Sequence, residues 1–378
     1  MTQPGVPRFL ANTITDQMLG PALGLGQRVS TFRYEVSDGL TGIRIGDVTP
    51  LRTTIPVMVH NTQNTIMRTL TGLNFGAVDT AAMNPITDRI SVFMMMSNVD
   101  GTTSEYPLGR YMYSATNSQI LTGGDLAQNS LFDEMFIVDQ QMETPFSITV
   151  ISGPDAETVD SAIRRLLFPL VSKGLITYTI ESSDVPAVGA WPAGTSRAKV
   201  LSDLCTQGQF FQPWFSNTGP MKIIRSFNPA LRLPDFDFDE SGVVHRDTIS
   251  YTNDFLEAPN RYVVINNSGT TTTGTEISAV GSYQVPNSAP WSIANRGFAI
   301  PQVEVLQAES TVTLSRVAET IAQQNIIFER TQMSTSPDPR HDSYDVIRWQ
   351  DGQWMEIAYS FQLQEGSPTI RTLRKAYS

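Results

Sequence analysis

Residues 86–96 read ITDRISVFMMM and residues 100–111 read DGTTSEYPLGRY. The run Arg89–Met96 is apolar, short and closed by a polar step, which predicts a strand buried on both faces. Asp100-Gly101 is a turn dipeptide, and Pro107-Leu108-Gly109 resets the chain for a second strand over Arg110–Ala115. Together the two stretches predict a β-hairpin with an irregular tip, in which every notable residue serves geometry and none serves catalysis.

Working outward, Val29–Val36 and Pro56–His60 have the same character, so the first third reads as β-structure. The period then changes. Val159, Ile163, Leu166, Leu167 and Leu170 recur at helical spacing after a Gly153-Pro154-Asp155 break, with Asp155 as a cap, Pro169 as a kink and Gly174 as the stop. A strand over Ile176–Glu181 follows, then a helix capped by Thr195 or Ser196 whose stripe is Val200, Leu201, Leu204 and Cys205. Phe210–Phe215 and Met221–Phe227 flank an Asn217-Thr218-Gly219 turn.

The last third returns to strands at residues 260–267, 344–349 and 354–364. In the third of these Met355, Ile357, Tyr359, Phe361 and Leu363 alternate with polar partners. One helix, about 310–325, is capped by Ser310 and has Leu314, Val317, Ala318 and Ile321 on one face. The expected fold class is mainly β with α+β parts. The expected domains are a β-rich segment over 1–145, an α+β module over 146–229 and a second β-rich segment with one helix over 230–378.

Composition narrows the function. Apolar residues make up 40% and charged residues 17% of 378, which fits a folded chain with ample core. A net charge of −11 repels phosphates and argues against nucleic-acid binding by counterion release. One cysteine excludes an intrachain disulfide and a multi-cysteine zinc site, and residues 1–30 contain no apolar block of the signal-peptide kind. Synthesis in a cytoplasm, without stable membrane insertion, is the expectation.

Chemistry is scarce. His60, His245 and His341 are far apart in sequence and outside any HExxH pattern, which favours isolated structural or surface roles. The acidic run DFDFDESG (235–242) begins like a calcium loop, but Glu240 takes the place of the turn glycine and Arg246 that of the closing glutamate. It reads better as a strand with Phe236 and Phe238 inward. Cys205 sits in an apolar stripe, where it packs rather than reacts. The glycines of 20–27 lack both the phosphate-loop lysine and dinucleotide spacing. The expectation is no catalytic residue, no metal and no cofactor.

ITDRISVFMMM followed by DGTTSEYPLGRY resembles the pattern of tail hub, or minor tail, proteins of long-tailed siphophages, especially those infecting actinobacteria. DSAIRRLL (160–167), WPAGTSRAKVLSDL (191–204), APNRYVVINN (258–267), IANRGFAI (293–300) and DSYDVIRW (342–349) are similar to later landmarks of that family, in the same order. The resemblance implies a baseplate-hub-like fold with two tail-tube-like β-barrels beside an α+β domain. It implies a non-enzymatic homotrimer at the virion tail tip that joins a six-fold tube and distal tail ring to a three-fold tip. The tape measure protein, other minor tail proteins and, in passage during ejection, genomic DNA would be its partners. Within the hairpin, Asp100, Gly101, Tyr106, Pro107, Leu108, Gly109 and Tyr111 become candidates for an assembly contact. A receptor-binding tail adhesin, for which Trp191, Trp214 or Trp291 could serve a sugar site, and a cell-wall-degrading tail-tip hydrolase are the rival expectations.

Overall fold

The computed structural model describes residues 30–50, 55–76, 83–84, 86–97, 102–121, 124–148, 156–241, 244–254, 256–266, 280–306, 311–325, 328–350 and 352–377. The chain opens with β1 (Ser30–Asp38), β2 (Arg44–Val48), β3 (Val57–Asn61), β4 (Arg68–Gly76), β5 (Asp88–Ser97), β6 (Thr103–Leu121) and β7 (Gly124–Asp133), then the short helix α1 (Met135–Val138). The middle holds β8 (Phe146–Ser147), α2 (Val159–Val171), β9 (Tyr178–Ile180), β10 (Ala190–Trp191), α3 (Arg197–Gln207), β11 (Trp214–Phe215) and β12 (Met221–Ile223). It is followed by β13 (Phe236–Asp237), α4 (Phe238–Ser241), β14 (Val244–Asn253), β15 (Arg261–Asn266), β16 (Val280–Gln284), α5 (Ile293–Arg296), β17 (Pro301–Leu306) and α6 (Thr311–Asn325). The end is β18 (Glu329–Thr335), β19 (Val346–Trp349), β20 (Gly352–Gln362) and β21 (Thr369–Lys375).

The fold is mainly β. One large sheet runs β14-β18-β21-β20-β3-β4-β7-β6-β5-β1-β2, and antiparallel pairing of β20 with β3, from Ala358 opposite Asn61 to Gln362 opposite Val57, joins strands of the first and last thirds. Because strand side chains alternate, β20 sends Tyr359 and Phe361, with Leu363 just beyond its end, into the core that Leu70, Phe75, Ile90, Val92 and Tyr111 build from the first third.

The middle segment has its own core. Ala162, Ile163, Leu166, Leu167 and Leu170 of α2 meet Val200, Leu201, Leu204 and Cys205 of α3, all of them buried. Full burial of each large aliphatic side chain contributes roughly 1.5–3 kcal/mol, so packing rather than intrinsic propensity holds these helices. Ser196 caps α3 by accepting from the Lys199 amide at 3.1 Å. Helix α2 starts at Val159 with Thr158 at its N-cap; Asp155, expected as the cap, lies outside the described residues, as do Ser310 and the glycines at 20–27. In the last third α6 lays Leu314, Val317, Ala318 and Ile321 on Tyr262 and Val264 of a separate sheet, β16-β15-β17. Among the described residues no helix is long and apolar enough to cross a membrane.

Two local expectations need correction. Strand β5 is not equally buried on its two faces: Ile90, Val92, Met94 and Met96 are fully inside, while on the other face Arg89 is buried but Ser91, Phe93 and Met95 are half-buried, Phe93 under the Arg33 guanidinium, 4.4 Å from its ring centre. The acidic run at 235–242 is not an alternating strand. Phe236 and Asp237 pair with β19, and the chain then turns helical in α4, because Asp239 accepts from the Gln350 amide at 2.9 Å and Asp237 accepts from the Asp239 amide at 3.0 Å.

Pro107-Leu108-Gly109 is a β-bulge within β6, not a break before it. Phe93 faces Pro107 and Val92 faces Gly109, so Leu108 is an extra residue on β6. The extra residue shifts the alternation by one. Tyr106 and Leu108 point into the core before the bulge, and after it Tyr111 points in while Arg110 is only half-buried. Without the bulge Arg110 would take the inward place. Gly109 makes this possible with φ of +131°, and a Cβ there would lie 3.0 Å from the Tyr111 hydroxyl. Gly109→Val should therefore destabilise the chain by about 1–3 kcal/mol in denaturant unfolding, whereas Pro107→Ala should cost under about 1 kcal/mol; equal small effects would remove the bulge from the account.

Candidate functional site

Of the expected contact residues, the structure places Tyr106, Leu108, Gly109 and Tyr111 inside the chain's own core, and Pro107 half-buried on the opposite face. The Tyr111 hydroxyl donates to the Leu108 carbonyl at 3.3 Å, across the bulge. Asp100 and Gly101 lie outside the described residues. The Asp88-Arg89 step also acts structurally: Asp88 accepts from the Asn84 amide at 2.7 Å, and the Arg89 Nη1 donates to the Thr87 carbonyl at 2.7 Å.

One dense buried polar group is not announced by the sequence. Residues 338–345, DPRHDSYD, form a buried turn between the large sheet and the middle module. The Asp342 carboxylate accepts from Arg68 of β4 at 3.0 Å, from the Trp214 indole of β11 at 2.9 Å and from the Ser343 amide at 2.9 Å. Its second oxygen lies 3.3 Å from the Lys222 ammonium of β12. Asn217 donates to the Pro339 and His341 carbonyls at 3.1 and 2.8 Å, and Asp338 binds Arg340 through both oxygens. One short turn thus ties together strands from all three parts of the chain.

Of the three histidines expected to stand alone, His60 and His341 are drawn in, while His245 lies on β14. His60 is fully buried, stacked on Tyr359 with ring centres 4.9 Å apart, its Nε2 3.1 Å from the Ser343 hydroxyl. Burial, with Arg68 nearby, pushes its pKa down to about 3, so the ring is neutral. His341 stacks on Phe236 at 3.8 Å, with Nδ1 3.2 Å from Glu356 and 3.6 Å from Asp345. Burial and Arg371 lower the His341 pKa, but Glu356 and Asp345 outweigh them and raise it. Burial opposes the ionised Glu356, yet Arg371, 2.6 Å away, and His341 hold it down at about 2. Nearby, burial pushes Asp133 up to about 7 against the pull of Arg68 and two backbone donors.

His341, Asp345 and Glu356 have ligand atoms within 4.8 Å of one another, a set whose chemistry could suit a metal ion. Arg371 already pairs with Glu356, and Glu356 and Asp345 raise the His341 pKa against its burial, so the group reads as a buried charge network. Cys205 is fully buried, and burial pushes its thiol up, away from the reactive thiolate. Trp214 and Trp291 are buried, and Trp191 donates its indole N–H to Asp203 at 2.9 Å, so each is built into the fold.

No protein-family model matches the sequence, and no curated protein matches it. Among solved structures, the fold is similar to that of the tail protein from Neisseria meningitidis MC58, with a TM-score of 0.58, 11% identity and coverage of 92% of this chain and 97% of that one. It is similar to the prophage tail protein gp18 from Listeria monocytogenes EGD-e, with a TM-score of 0.57, 9% identity and coverage of 90% and 94%. A third likeness is the 43 kDa tail protein of prophage MuSo2 from Shewanella oneidensis, with a TM-score of 0.53, 9% identity and coverage of 90% and 98%. At such identities the likeness is one of fold.

The buried turn makes stability depend on charge. Asp342→Ala leaves Arg68 and Lys222 without that carboxylate and should cost about 3–5 kcal/mol in denaturant unfolding, more than Asp342→Asn. The Glu356 contribution is present above its ordinary 4.5 and is lost as pH falls towards about 2. The His341 contribution is present below its ordinary 6.5 and is lost as pH rises through the higher folded value. Melting temperature should therefore peak in the mildly acidic range, and Glu356→Gln should flatten the acid limb; an unchanged acid limb would contradict the pairing.

Proposed function

With a fold shared along nearly its whole length with three phage-type tail proteins, we propose that this chain is a structural subunit of a phage-type tail tip. In this reading three copies form a hub around the channel, joining the six-fold tube and distal tail ring above to a three-fold tip below. Segments 1–145 and 230–378 act as two related β-rich units, with 146–229 as the module beside them. The observation that carries the reading is the end-to-end likeness of fold. The β3–β20 pairing supports it, since it fixes the two β-rich segments relative to each other, as alternating positions in a ring require. A net charge of −11 suits a channel wall over which DNA and tape measure protein slide without adhering.

The link between β5 and β6, with Asp100 and Gly101, is the proposed contact with a neighbouring subunit. No catalytic step is assigned to any residue. Replacing Asp100 by Lys together with Gly101 by Val should leave the melting temperature unchanged, yet abolish incorporation into tails seen by electron microscopy. Cross-linking of assembled tails should give a species of three times the monomer mass. Tails that form normally without this chain, or that carry six copies, would sink the hub reading. Release of soluble fragments from host cell walls by the purified protein would instead favour the hydrolase.

A further inference from the structure

The small sheet β16-β15-β17 is covered on one face only. Helix α6 lies on the face that carries Tyr262, Val264 and Gly281, and a side chain at Gly281 would collide with the Leu314 backbone. Strand alternation therefore turns Val263, Ile265, Val280, Pro301, Val303 and Val305 to the opposite face. The registers align them in rows across the three strands, Ser282-Val263-Val303 and Val280-Ile265-Val305. The outer valines of these rows are left in solvent, with Val280 50%, Val303 52% and Val305 61% exposed.

Strand β17 also ends the sheet. Among the described residues it pairs with β15 alone, in parallel. The Arg261 amide donates to the Ile300 carbonyl at 3.3 Å, which fixes the ladder: Gln302 and Glu304 turn their backbone groups to β15, while those of Val303 and Val305 point outward. The same two valines thus carry a bare backbone edge and a bare apolar face. Edge strands are commonly blocked by charge, as β2 is by Arg44 and Asp47. On its open face β17 carries only Pro301, Val303 and Val305.

The size of this surface selects its occupant. Three strands about 4.8 Å apart and five residues long, at about 3.3 Å each, make a face of roughly 240 Å². A stable dimer needs about 800 Å² from each partner, so a second folded face gains too little here. A single extended strand gains main-chain hydrogen bonds and lengthens both apolar rows by one residue. The position between those two residues falls opposite the exposed Glu304, where a basic side chain fits.

We propose that β17 is a strand-addition site, which takes an extended segment of another protein chain, apolar at every second residue and basic between, in antiparallel pairing with Val303 and Val305. The site goes beyond the tail-tip reading and stands without it. Titration of the ¹⁵N-labelled full chain with acetyl-Val-Lys-Val-Thr-Val-amide, followed by backbone amide shifts, tests it. The amides of Val303 and Val305 should shift, and the same peptide N-methylated at its first and third valines should bind about tenfold or more weakly, since two backbone donors are lost while every side chain is kept. Val305→Pro, which removes an outward N–H that the ladder to β15 does not use, should abolish binding. Val303→Asp, which leaves the backbone edge intact, should weaken it about threefold or more, and both variants should keep the melting temperature. Equal binding of the two peptides, no shift at Val303 and Val305, or binding indifferent to Val303→Asp would overturn the proposal. Self-association of the chain that Val303→Asp abolishes, with no peptide binding, would overturn it in favour of a second copy.

Discussion

One buried carboxylate holds the architecture together. Asp342 collects donors from β4, β11 and β12, strands that belong to the first third and to the middle module, while the turn carrying it belongs to the last third. A buried ion pair contributes little net stability against an apolar alternative, but removing one partner is costly, so such a group fixes which surfaces may meet. The apolar contacts around it, among Met67, Phe211, Trp214, Tyr344 and Met355, would tolerate some sliding. The hydrogen bonds to Asp342 would not, because each has a direction. Tyr344, with φ of +64°, shows the backbone bent to serve the turn.

The second constraint is register. The sheet crosses from one end of the chain to the other through β3 and β20, and both strands must present their apolar sides to one core. A single extra residue at Leu108 keeps Tyr106 and Tyr111 on that same side of β6. The irregular stretch that looked like a hairpin tip is thus a correction to the alternation, placed in mid-strand.

Elements whose reason is local were legible in the sequence. The apolar stripe of α6, the Ser196 cap and the strands over β3, β5, β15 and β20 follow from spacing within a few residues. The alternation of β20 also read correctly for Met355, Tyr359 and Phe361. It failed at Glu356, which is buried because Arg371 and His341 wait for it inside. The polar turn was illegible for the same reason: Arg68 and Asp342 are 274 positions apart, and His60 and Ser343 are 283 apart. A histidine or an aspartate carries no sign of burial until its partner is known. The acidic run at 235–242 misled through its regular alternation, since the backbone amides it binds, those of Val346 and Gln350, come from a distant strand.

That a single buried turn makes one mechanical unit of three segments is the claim on which the rest hangs. Differential scanning calorimetry of the intact chain near pH 6 tests it most directly, by comparing calorimetric with van't Hoff enthalpy. One transition with the two enthalpies equal is the predicted result, because the module and the large sheet share the charges at Asp342. Two separate transitions, with the middle module melting while the sheet persists, would contradict it.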